Sequence, residues 1–152
     1  MDKKEVFHMA KEIISILSID GGGIRGLIPA YIMDEIEQRT GRPIAELFDY
    51  VAGTSTGGIL GLALTKDGGD GRPQYGAADA IRLYRENGAR IFSRTVWHRL
   101  RSIGSLIDEC YPADGLETLM EEYFGDARLK DALAKVIVTS YEIERRIPWF
   151  FR

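Results

Sequence analysis

The stretch IISILSIDGGGIRG, residues 13–26, joins two unlike patterns. Ile13 to Ile19 is an apolar run of strand length that ends at Asp20 and three adjacent glycines. From Leu27 onward the apolar residues recur at helical spacing. A buried strand that turns through glycines into a helix is the opening unit of an α/β sheet. Gly21, Gly23 and Gly26 fit the G-x-G-x-x-G spacing of dinucleotide-binding loops. The same glycines, followed by Arg25, can also present backbone N–H groups to an oxyanion, because residues without a Cβ allow close approach. The loop read alone is compatible with either chemistry.

The rest of the chain narrows the class. Its 152 residues have the length of one domain with a core, and 45% of them are hydrophobic, which argues against disorder. A net charge of -3 makes no general electrostatic case for nucleic acid or an anionic membrane. A single cysteine, Cys110, excludes an internal disulfide and fits a reducing compartment. MDKKEVFHMAKE, at the start, lacks the apolar segment of a signal peptide, and no apolar run approaches the ~18 residues of a membrane span. The expectation is a soluble, cytoplasmic protein without a transmembrane segment, residues 1–11 forming an N-terminal extension.

Strand and helix patterns alternate. Residues 27–38 read as a helix with Ile28, Ile32 and Ile36 on one face and Leu27 and Tyr31 beside them, ended by Thr40-Gly41-Arg42-Pro43. Pro43 opens a short helix over 44–48, and Tyr50 to Gly53 is a short strand. Residues 57–65 read as an apolar helix, and 66–76 as a glycine-rich loop. A helix over 77–90 turns Ala77, Ala80, Ile81 and Tyr84 to one side. Asp114 with Glu117 resembles a capping pair for a helix whose buried stripe is Leu116, Leu119, Met120 and Tyr123. Lys135 to Tyr141 is a further strand. This order predicts a mainly parallel sheet covered by helices on both faces.

A second motif decides between the two readings of the loop. Gly53-Thr54-Ser55-Thr56-Gly57 fits G-x-S-x-G and sits between a strand and a helix, the context of a nucleophile elbow. Such a turn strains the serine backbone, exposes its hydroxyl, and brings the flanking chain so close that Gly53 and Gly57 have no room for side chains. The helix N-terminus behind Ser55 favours negative charge. A glycine loop and a serine turn at strand C-termini of one sheet would form a single site. The bland alternative is a strand–helix turn capped by Ser55.

Together the motifs resemble the patatin-like phospholipases, whose pattern is D-G-G-G-x-R-G, then G-x-S-x-G, then a later D-G-G or D-G-A. Residues 20–26 and 53–57 meet the first two in full. The resemblance implies a three-layer α/β/α sandwich with a mainly parallel central sheet, incomplete in this chain, which would be the N-terminal part of a single domain. It implies a serine lipid acyl hydrolase with a Ser–Asp dyad and no metal or organic cofactor, acting on phospholipids or related lipids at a membrane or micelle surface, peripheral to the membrane. Ser55 would be the nucleophile. Gly21, Gly22, Gly23, Ile24, Arg25 and Gly26 would form the oxyanion hole, with Gly53, Thr54, Thr56 and Gly57 shaping the elbow.

The aspartate of the third motif has no match here. Asp67-Gly68-Gly69 is excluded, because it follows Ser55 by 12 residues across a helix. About ten helical residues carry the chain roughly 15 Å away, whereas a base must come within about 3 Å. The dyad aspartate is therefore expected beyond Arg152.

Other readings fit less of the sequence. A dinucleotide-binding domain wants an acidic residue after the second strand, whereas Glu35 and Glu37 fall inside the first helix. An ordinary α/β-hydrolase needs a late histidine, and the chain offers only His8 and His98. A domain without its base would bind lipid or a partner without turnover. Arg90, Arg94, Arg99 and Arg101, interleaved with Ile91, Phe92, Val96 and Trp97, read better as a core stripe with solvated arginines than as a lipid patch. Cys110 reads as structural, with no motif-placed histidine to activate it.

The expected outcome for residues 1–152 alone is little or no turnover of a short-chain nitrophenyl ester. Strong hydrolysis abolished by Ser55→Ala would instead reveal a base within these residues.

Overall fold

The computed structural model describes residues 13–91 and 114–152. Strand β1 (Ile16–Ile19) runs through the glycine loop into a short 3-10 turn (Gly23–Gly26) and helix α1 (Leu27–Thr40). There follow α2 (Ile44–Leu47), β2 (Tyr50–Gly53), α3 (Thr56–Thr65), α4 (Ala77–Ile91), α5 (Asp114–Phe124), β3 (Lys135–Glu142) and β4 (Ile147–Phe151). The strand order is β1-β2-β3-β4; the first three strands are parallel and β4 returns antiparallel to β3. Ile19, Gly53 and Val138 lie level in register, so β1 and β2 end side by side. The result is a mostly parallel sheet with helices, consistent with an α/β/α fold.

One buried cluster joins sheet and helices: Ile19 and Val51 of the sheet pack with Ala30 and Met33 of α1, Leu60 and Leu64 of α3, and Ile81 and Tyr84 of α4. Leu119 of α5 packs against Leu83 of α4, with Met120 and Tyr123 beside them.

Three expectations change. Burial along β1 and β2 alternates: Leu17, Ile19, Val51 and Gly53 are the more buried set, while Ile16 is 62% exposed. The strand expected over 13–19 is thus shorter and buried on one side only, with Ile13 and Ile14 exposed.

In α1 the inner face is not the isoleucine face. Ala30 and Met33 are buried and Leu27 and Ile36 partly so, whereas Ile28, Tyr31 and Ile32 are 61%, 51% and 57% exposed. Apolar residues occur nearly all round this helix, so periodicity alone does not select the side. The fully buried Ala30 lets the helix approach its neighbours closely. Third, β4 was not anticipated; its charged turn and Pro148 hide a strand, and Pro148 is tolerated because β4 is the outer strand of the described sheet.

Other elements match the reading closely. Gly41 ends α1 in the left-handed region (φ 65), its N–H donating to the Glu37 carbonyl. Pro43 directly precedes α2. Ala77, Ala80, Ile81 and Tyr84 are the buried side of α4. Helix α5 is described from Asp114 onward; the side chains of Asp114 and Leu116 lie outside the described set. Arg94, Phe92, Val96, Trp97, His98, Arg99, Arg101 and Cys110 also lie outside the described residues, as do His8, residues 1–11 and the side chains of Arg90 and Ile91.

One carboxylate ties three helices together. Glu37 Oε1 accepts the N–H of Ile44 at 2.9 Å, and Oε2 accepts the N–H of Ala77 at 2.7 Å. A side chain of α1 thus supplies acceptors to the unsatisfied N-termini of α2 and α4. Glu37→Ala leaves both donors without their partner and should lower stability by about 2 kcal/mol, read from the urea midpoint at constant m.

The start of α3 is wedged into the sheet. A Cβ on Gly57 would meet the Ile19 carbonyl oxygen at 2.2 Å, and one on Gly53 the Gly57 carbonyl oxygen at 2.4 Å. Both obstacles are backbone, which cannot swing aside. Gly57→Ala should therefore cost about 3 kcal/mol or more in thermal unfolding, whereas Ala at Gly68, where the nearest atom is the Arg72 carbonyl oxygen at 3.3 Å, should cost less.

Candidate functional site

The site is built where β1 and β2 end. Thr54 N–H donates to the Ile19 carbonyl at 3.2 Å, closing the parallel ladder as the chain leaves β2. The next residue, Ser55, takes φ 54 and ψ -123, a conformation rare for a side-chain-bearing residue and held at an energetic cost. The surroundings hold it: the Ser55 carbonyl accepts N–H groups of Gly58 at 2.9 Å and Ile59 at 3.2 Å, and Gly57 N–H donates to the Thr54 carbonyl at 2.9 Å. The chain therefore turns from strand to helix within two residues. Ser55 is solvent-exposed and stands at the N-terminus of α3.

The glycine loop lies directly against this turn. A Cβ on Gly21 would fall 2.7 Å from the Thr54 carbonyl oxygen and 2.9 Å from Ser55 Cβ. Gly23 adopts φ 60, a conformation that suits a residue without Cβ. Gly23 and Ile24 open the 3-10 turn, so their N–H groups have no acceptor within it. Arg25 is exposed; its N–H returns to the Gly22 carbonyl at 3.2 Å and its Nε stands 3.5 Å from the same oxygen, so it braces the loop from outside.

The Gly22 N–H has a different engagement. It donates to Thr56 Oγ1 at 3.2 Å. Thr56 is itself buried, and its carbonyl accepts the Tyr84 hydroxyl at 2.9 Å. Tyr84, 1% exposed, comes from α4, and its ring sits where a Cβ on Gly26 would be, 2.7 Å from Cε1. Burial pushes the Tyr84 phenol up to about 12, which keeps it a neutral donor across the physiological range.

Ser55, Gly21 to Gly26, and Gly53 to Gly57 thus converge on one place. Asp67 does not join them. It follows the far end of α3, and its Oδ1 accepts the N–H groups of Gly69 at 2.8 Å and Gly71 at 3.0 Å, shaping its own loop. Among the described residues no cluster of three or more His, Cys, Asp and Glu could hold a metal, and no helix is long and apolar enough to cross a membrane. Thr56 and Tyr84 carry more than the sequence reading assigned them. Tyr84 was legible as a core residue, and a buried tyrosine hydroxyl generally has a partner; which partner depends on how α4 crosses α3.

An exposed serine at a strained strand–helix turn, packed against a glycine loop, suits attack on a carbonyl, with the loop's N–H groups near enough in sequence and space to serve the charge that develops. The family model described as patatin-like phospholipase matches residues 17–150. Patatin-T5 from Solanum tuberosum is 35% identical over 95% of this chain and 37% of its own length. Patatin-like protein 4 from Arabidopsis thaliana is 33% identical over 91% of this chain and 36% of its own. A further Solanum tuberosum relative, named Probable inactive patatin-3-Kuras 1, is 33% identical over 95% of this chain and 39% of its own. The chain spans little more than a third of the length of these relatives. The matched span takes in both motifs and all but the end residues of the described strands, and on it the chain belongs to the patatin-like phospholipase family.

Proposed function

We propose that this chain contributes the nucleophile and the oxyanion hole of a serine lipid acyl hydrolase. Ser55 Oγ attacks the acyl carbonyl of a phospholipid or related lipid ester presented at a membrane or micelle surface. Its proton passes to an aspartate outside these residues and then to the leaving alcohol oxygen. Water cleaves the resulting acyl-serine, releases the fatty acid and restores the serine. The free N–H groups of Gly23 and Ile24 hold the carbonyl oxygen while it is negative, with Arg25 bracing the loop. Gly22 acts through the loop's shape, since its N–H is engaged by Thr56. No metal or organic cofactor enters this scheme.

The observation that carries the reading is the contact between the glycine loop and Ser55, with no room for a Cβ on Gly21 between them. A phosphate-cradling loop has no need of a strained, exposed serine packed against it. The enzyme would work peripherally at lipid surfaces from the cytoplasm.

A second reading is a domain that binds lipid or a partner without turnover. The name of the potato relative called probable inactive keeps it in play, because similarity over this span does not by itself secure activity. A fluorophosphonate probe separates the two in a protein that carries these residues together with a downstream D-G-G or D-G-A aspartate. Covalent labelling at Ser55, lost in Ser55→Ala, is the expected result by mass spectrometry. Vesicle binding with an unlabelled Ser55 would favour the second reading.

A further inference from the structure

We propose that Thr56 and Tyr84 are positioning residues that lock the glycine loop to the serine turn. The catalytic meaning of the lock rests on the hydrolase reading; the lock itself does not.

Thr56 uses both of its oxygens. The side-chain oxygen accepts the N–H of Gly22, at the start of the loop. The main-chain oxygen accepts the hydroxyl of Tyr84. The ring of the same tyrosine packs on Gly26, at the end of the loop. The loop is therefore gripped at both ends by groups that meet at the residue following Ser55. Thr56 and Tyr84 are 5% and 1% exposed, and the bond between them is buried, so water is poorly placed to substitute for it.

The arrangement constrains how the donors are used. With Gly22 N–H occupied, the loop cannot rotate to offer it to substrate without breaking the Thr56 contact. Gly23 and Ile24 N–H groups stand at the start of the 3-10 turn with no acceptor within it, in an orientation set before substrate arrives. Donors fixed in advance need no reorganisation when charge develops. A purely structural role predicts something different: the Tyr84 ring would matter and its hydroxyl would not, and any residue of Thr56's shape would serve.

The test uses Thr56→Val and Tyr84→Phe, which keep size and lose one hydroxyl, and Thr56→Ser, which loses a methyl and keeps the hydroxyl. The first measurement is amide hydrogen exchange in this chain, residue by residue. Exchange of the hydrogen-bonded Gly22 and Arg25 amides should rise about tenfold in Thr56→Val and Tyr84→Phe, with Val51 and Ala52 of β2 unchanged. Thr56→Ser should match the parent. The second measurement is ester hydrolysis by a form with Ser55-dependent turnover. There kcat should fall roughly a hundredfold in Thr56→Val at constant KM, and Thr56→Ser should restore it.

Parent-like loop exchange in Thr56→Val overturns the lock. So does a serine variant as loose as the valine one. A loosened loop with unchanged kcat overturns the positioning role. A parent in which Ser55 neither turns over ester nor reacts with fluorophosphonate defeats the hydrolase reading instead, and the exchange data still decide the lock.

Discussion

Everything near the site depends on one close approach. The first turn of α3 presses backbone against backbone where β1 and β2 end, at a separation that leaves no volume for a Cβ on Gly57 or Gly53. This contact brings the helix N-terminus to the sheet edge and forces the chain to reverse over Ser55. The unfavourable φ of 54 at Ser55 persists because the hydrogen bonds of Gly57, Gly58 and Ile59 around the turn hold it. Strain and packing are here two sides of one constraint.

The second layer of organisation comes from helices that cap one another. Glu37 supplies acceptors to the N-termini of α2 and α4, fixing α4 relative to α1. That placement delivers Tyr84 to the Thr56 carbonyl and over Gly26. A charge on one helix, distant in sequence from the loop, thereby controls where the loop's rear support stands. The chain of contacts from Glu37 through α4 to Thr56 and Gly22 is continuous, and each link is a hydrogen bond or a packed ring.

The parallel strands and most helix limits were legible in the sequence because they depend on local rules. Alternating apolar runs, Pro43 before α2, Gly41 after α1 and the glycine-rich loop at 66–76 each act within a few residues. The misjudged features share a different origin. The side of α1 that is buried depends on the sheet below it, and an all-round apolar helix carries no local sign of that choice. The exposed face of β1 depends on which layers are present. The outer strand β4 follows a charged turn and contains a proline, so its pairing with β3 comes from the partner strand and not from its own pattern.

The sequence by itself determined the chemistry on offer: a serine in G-x-S-x-G after a strand, and D-G-G-G-x-R-G after another. Glycine spacing records where backbone must come close, and that record is linear. Only the tertiary structure decided how the two motifs share a site. It put Gly21 against Ser55, spent the Gly22 N–H on Thr56, and left Gly23 and Ile24 at the open start of their turn. It also gave the Tyr84 hydroxyl its partner across 28 residues of chain. The physical reason is that hydrogen-bond donors are identical in type along a backbone. Which of them is free is a matter of neighbours brought together in space, and only packing supplies those.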